Sequence, residues 1–78
     1  MKVIGIERKK GNYEGREYDN IVLTCTTPYP EEKEATGYFS DTVKVKYVVF
    51  EESEIDIGDE ISVYYNKFGQ VQHLIRKE

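Results

Sequence analysis

The chain carries little chemical equipment. Its 78 residues include one cysteine, one histidine, one methionine, two prolines and no tryptophan. A single cysteine closes no internal disulfide, and with no CxxC motif or His/Cys cluster there is no ligand set for zinc. Cys25 and His73 fall on different predicted strands, and Cys25 has the inward parity at which cysteine packs as a small hydrophobe rather than acting as a nucleophile. No glycine belongs to a GxGxxG or GxxxxGK loop that would cradle phosphate. The acidic run "EESEIDIGDE" at 51–60 lacks the alternating Asp/Asn ligands and the terminal bidentate Glu of a calcium loop, so it reads as a solvated connector. An apolar stripe of 3.6-residue period is missing as well, which predicts little helix. The opening apolar run, residues 1–6, ends too early for a secretory h-region or a membrane span. These absences describe a soluble, cytoplasmic domain without metal, cofactor or small-molecule substrate, and not an enzyme.

What is present is strand signal. Residues 2–10 alternate as a first strand with Ile4 and Ile6 inward, and "GNYEGR" at 11–16 supplies a glycine-marked turn. Residues 17–27 place Ile21, Leu23 and Cys25 on one face, with Tyr18, Asn20, Val22 and Thr24 on the other. Two prolines then open a long loop over 27–37. Residues 41–50 are the strongest strand, with Val43, Val45, Tyr47 and Val49 inward and Lys44 and Lys46 outward. After the acidic connector, 60–77 reads as a hairpin: Ile61, Val63 and Tyr65 point inward, "NKFGQ" turns, and 71–76 form the last strand. Five turn-linked strands predict an all-β domain, a small antiparallel barrel that removes exposed edges. With 38% apolar residues the core is small, and dimerisation is a natural way to bury more surface.

The net charge is −4, from eleven basic and fifteen acidic residues, which by itself argues against a phosphate-binding surface. Its distribution argues otherwise. Nine acids lie in two stretches, Glu31, Glu32 and Glu34 in the long loop and six more in the connector, whereas residues 1–16 carry five cations against Glu7 and Glu14. Ten residues are Tyr or Phe, too many for so small a core. Tyr13 and Tyr18 share a stretch with Arg16, Phe50 with Lys44 and Lys46, and Phe68 with Lys67. Aromatics that stack on bases, interleaved with cations that track phosphates, are the design of single-strand binders. Exposed tyrosines on strands, or in a dimer interface, are the structural alternative.

One stretch carries a resemblance. Gly15-Arg16-Glu17-Tyr18, followed seven residues after the tyrosine by Cys25, resembles the second strand of the single-stranded-DNA-binding proteins of filamentous phages, where a Gly-Lys-Pro-Tyr stretch leads at the same spacing to a buried cysteine. The order of a basic first strand, a long loop, a Val/Lys strand, an acidic connector ending at Gly58 and a hairpin tipped by Phe-Gly is similar too. The resemblance implies a five-stranded OB-like barrel assembled as a two-fold dimer. It also implies that Arg8 and Arg16 contact phosphates, that Tyr18 and Phe68 stack on bases, and that Lys44 or Lys46 lines the same groove. The chain departs from that pattern at Tyr13, where the family has a second turn arginine, and at Thr26, where it has a tyrosine. The last hairpin is also shorter and the long loop more acidic. The expected role is non-sequence-specific coating of single-stranded DNA, with RNA as a further ligand, during replication or transfer of a phage or mobile element. The competing expectation is an acidic interaction module that docks on a host protein through its acidic loops.

Overall fold

A computed structural model describes residues 1–77. The elements are β1 (Lys2–Tyr13), β2 (Arg16–Pro28), β3 (Tyr38–Lys46), α1 (Tyr47–Ser53), β4 (Glu60–Tyr65) and β5 (Val71–Lys77). All five strands lie in one antiparallel sheet of order β3-β2-β1-β4-β5. The sheet is all-β as expected, but it does not close into a barrel: β3 and β5 are free edges. β4 joins β1 only near the start of that strand, where Lys2 lies opposite Glu60. Ile61 N–H donates to the Met1 carbonyl at 2.8 Å, and Val3 N–H donates to that of Asp59 at 2.9 Å. The β4–β5 hairpin therefore hangs from the first residues of β1, and the rest of β1 continues with β2 into an extended arm. The molecule measures 47 × 27 × 25 Å. Helix α1 touches β2, β3 and β5 and so spans the two free edges at one end.

The arm is longer than the glycines suggest. β1 runs through Gly11 to Tyr13, and only Glu14 and Gly15 turn the chain, both at positive φ (50° and 79°). A two-residue turn of this hand matches the right-handed twist of the strands it joins, so pairing continues up to Tyr13 opposite Arg16. The register this turn sets decides which residues meet across the arm.

Among the described residues nine apolar ones are buried: Val3, Ile21, Leu23, Cys25, Val43, Val45, Ile55, Ile61 and Leu74. The alternation of β2 and the second half of β3 is thus realised as the spacing dictates. Four expectations are corrected. A register shift between Val3 and Gly5 turns Ile4 outward and leaves it 50% exposed, with Val3 buried in its place. Residues 47–50 do not extend β3. They form α1, from which Tyr47, Val49 and Phe50 pack partly against the core. An apolar run this short satisfies either period, and packing against both sheet edges decides for the helix. A second register shift, between Tyr64 and Tyr65, leaves Tyr65 exposed. Lastly, β1 ends at Tyr13 rather than at residue 10.

The acidic connector has structural work. α1 ends at Glu54 with φ 54°, a left-handed cap stabilised by Ser53 Oγ donating to the Phe50 carbonyl at 2.5 Å. Ile55 then plugs the core. Asp56 and Asp59 accept backbone N–H groups of Ile57 (2.7 Å) and Asp56 (2.9 Å), and Gly58 N–H donates to the Val3 carbonyl at 2.8 Å. These two carboxylates shape the segment that ties β4 to β1.

Candidate nucleic-acid interface

Residues directly opposite in an antiparallel ladder share a face, and so do residues two apart along a strand. The register of the β3-β2-β1 arm therefore sorts its side chains into two sets. The core-side set follows Leu23 and Ile21 outward to Arg8, then to Lys10 opposite Asp19 and Asn12 opposite Glu17. On β3 it includes Val43 and Val45, with Asp41 opposite Cys25. The outer set contains Glu7 opposite Val22, Lys9 opposite Asn20, Gly11 opposite Tyr18 and Tyr13 opposite Arg16. On β3 it contains Lys44 opposite Val22 and Lys46 opposite Asn20, with Thr42 and Ser40 continuing the row toward Lys2, which lies opposite Thr26.

Charge follows this division. On β2 and β3 every cation (Arg16, Lys44, Lys46) is on the outer face and every acid (Glu17, Asp19, Asp41) on the core-side face. With Lys2 and Lys9 from β1, the outer face holds five cations against one acid, Glu7, which sits 3.7 Å from Lys9. Tyr13 and Tyr18, and at the far end Tyr38 opposite Pro28, are the aromatic members of the same face. The remaining floor consists of Asn20, Val22, Thr24, Thr26, Ser40 and Thr42, small or polar and compatible with a flexible polyanion.

Arg8 has a different post. It lies on the core-side face, where Nε and Nη2 donate to the two carboxylate oxygens of Asp19 at 3.0 and 2.7 Å. Its guanidinium also stands 3.8 Å from the centre of the Tyr47 ring. The paired hydrogen bonds raise the Arg8 pKa and hold Asp19 below the ordinary carboxylate value. Arg8 thus locks the base of the arm onto α1. Of the sequence-predicted set, Arg16, Tyr18, Lys44 and Lys46 share the outer face, whereas Arg8 faces the other way.

Phe68 is carried by the other hairpin. Asn66 Oδ1 accepts from the N–H groups of Phe68 (2.9 Å) and Gln70 (3.0 Å), and Asn66 N–H donates to the Gln70 carbonyl at 2.8 Å. This knot holds Phe68 at the tip, 75% exposed, with Lys67 Nζ 5.2 Å from its ring centre. A cleft of about 690 Å³ separates the β3 edge from this hairpin. Asn20 and Thr42 to Lys46 line one wall, and Tyr65, Asn66 and Gly69 to Gln72 line the other. Lys44, Lys46 and the Phe68 loop therefore border one groove, open where the sheet fails to close.

Cys25 is buried, and that burial pushes its thiol pKa up, the opposite of an activated nucleophile. Among the described residues no cluster of His, Cys, Asp and Glu is set to hold a metal ion, and no helix is long and apolar enough to cross a membrane.

Lys9 and Gly11 join the candidate site without having been singled out for it, and Tyr13, noted for sharing a stretch with Arg16, joins it as well. Continuing the clean parity of β2 across a turn at residues 14 and 15 would have found them, because pairing register then follows by counting. Searched against protein families, curated proteins and solved structures, the chain matches none.

Proposed function

We propose that this protein binds single-stranded DNA without sequence preference, through the outer face of β1, β2 and β3 and the adjoining cleft. The observation that carries this reading is the segregation of charge across the arm. Five cations and three tyrosines occupy one face, and the acids of β2 and β3 are confined to the other. Lys9, Arg16, Lys44 and Lys46 track phosphates, and Tyr18 and Phe68 offer stacking surfaces at the two ends of the path. Stacking is sequence-tolerant because every base has a π face, and it contributes roughly 1–3 kcal/mol per base. The overall acidity keeps the protein soluble without opposing the ligand, because the acidic runs lie elsewhere in the chain.

The domain is read as OB-like, with its β1 flanked by β2 and β4, a short helix before β4, and the barrel left open between β3 and β5. A two-fold dimer belongs to the same reading, since nine buried residues are a small core and two sheet edges are unpaired. Coating of replication or transfer intermediates of a phage or mobile element is the role that the sequence resemblance implies for such a dimer.

With no tryptophan in the chain, tyrosine fluorescence reports directly on binding. Titration with oligo-dT is expected to give saturable quenching that weakens with salt, and absence of binding at ~20 mM salt overturns the proposal. Light scattering at several concentrations tests the dimer.

A further inference from the structure

Gly11 lies directly opposite Tyr18 on the outer face. A Cβ built on Gly11 would stand 2.5 Å from the Tyr18 hydroxyl oxygen, 2.8 Å from Cζ and 3.1 Å from Cε1. The phenol end of Tyr18 therefore occupies the volume that any other residue at position 11 would fill. Tyr18 nevertheless remains 43% exposed. Its ring is seated over the β1 backbone at one end and open to solvent elsewhere.

Backbone conformation does not require glycine here, because Gly11 is not among the residues with positive φ. A strand glycine that needs no special φ costs conformational entropy and contributes no packing of its own. What it permits is close approach, and the group that approaches is the tyrosine opposite.

We infer that Gly11 is a positioning residue that seats the Tyr18 ring across β1, making it a stacking platform for one unpaired base. This rests on the nucleic-acid reading above and deepens it. A ring anchored against the strand can receive a base that is already free of a stack. It is not placed to enter between the stacked pairs of a duplex, so the substrate class is a single strand. Lys9 and Arg16, at the neighbouring pair positions on the same face, lie on either side of the platform, where the flanking phosphates of that base would run.

Gly11→Ala tests this cleanly. The atoms in its way are the far end of a rotatable side chain, so the ring swings off rather than the backbone moving. Alanine also restricts the unfolded chain, so thermal stability is expected to hold or rise slightly. Affinity for oligo-dT is expected to fall by about 5- to 150-fold, the weight of one lost base stack, with an unchanged salt slope. The double variant Gly11→Ala/Tyr18→Ala should bind no more weakly than Tyr18→Ala alone, because both changes remove the same platform. A Gly11→Ala protein that binds like the parent overturns the inference, as does one that loses stability, since Gly11 would then serve the fold. A parent protein that binds no oligo-dT is a different result and removes the functional reading itself.

Discussion

The two faces of the arm make opposite predictions for arginine and lysine residues that lie close in sequence. If Lys9, Arg16, Lys44 and Lys46 each neutralise one phosphate of a single strand, log K falls with log salt at a slope of about −2.8, at roughly 0.7 per contact. Between ~50 and ~200 mM salt the parent protein then loses about 50-fold in affinity. Replacing both β3 lysines with glutamine should halve the slope to about −1.4, leaving a loss of only about 7-fold over the same range. Arg8→Gln should leave the slope at its parent value. The Arg8 guanidinium donates two hydrogen bonds to Asp19 and stands over the Tyr47 ring, on the face away from Lys9, Arg16, Lys44 and Lys46. Its loss should appear instead as weaker attachment of α1 to the base of the arm, read as faster amide exchange in residues 47–53. Tyrosine quenching by oligo-dT at four salt concentrations measures the slopes. An Arg8→Gln protein whose slope drops by a full contact, beside a Lys44→Gln/Lys46→Gln protein with the parent slope, would refute the assignment of faces.

Three further outcomes follow from the same geometry. Leu23 is fully buried at the centre of a nine-residue core, so Leu23→Ala should cost about 3–5 kcal/mol, read as a shift of the urea midpoint at constant m; a change under ~1 kcal/mol would mean the core is not packed as described. The hydrogen bonds from Arg8 hold Asp19 below the ordinary value of 3.8. Its contribution to stability is therefore full above that value and is lost as pH falls through the lower folded pKa. Asp19→Asn should accordingly lower stability at neutral pH and flatten the acid limb of a stability-against-pH curve, and a variant with the parent's limb counts against the pair. Phe68→Ala, at an exposed tip held by Asn66, should leave thermal stability unchanged and weaken oligo-dT binding several-fold at constant salt slope; unchanged affinity would remove Phe68 from the path.

Much of the fold was legible because strand alternation is a local property of the backbone. Ile21, Leu23 and Cys25 are spaced at two residues with polar neighbours between them, and all three are buried. Val43, Val45 and Ile61 followed the same logic with the same result. Legibility failed where the period was interrupted. The bulge at Ile4 inserts one residue, and the outward turn of that side chain follows from the inserted residue rather than from its type. The run Tyr47-Val48-Val49-Phe50 suits a strand or a helix, and only contact with β2, β3 and β5 distinguishes them. For the candidate site, the shared face of Arg16, Tyr18, Lys44 and Lys46 was readable from parity; Arg8 has the inward parity of Ile6, but the groups that hold it there, Asp19 and Tyr47, lie 11 and 39 positions away.

The sequence by itself determined that this is a strand-built domain whose β2 and β3 cations and acids occupy alternate positions. Alternation along an extended chain sends neighbours to opposite faces whatever the rest of the molecule does. The tertiary structure alone decided which residues meet. A two-residue turn at Glu14 and Gly15 set the register that puts Tyr18 over Gly11 and Lys9 beside Asn20. The helix after Lys46 left β3 and β5 unpaired and opened a cleft between Lys44, Lys46 and the Phe68 loop. Pattern along a strand sets the face of each side chain, but the offset to its partner needs the turn as well, and closure depends on contacts between residues distant in sequence.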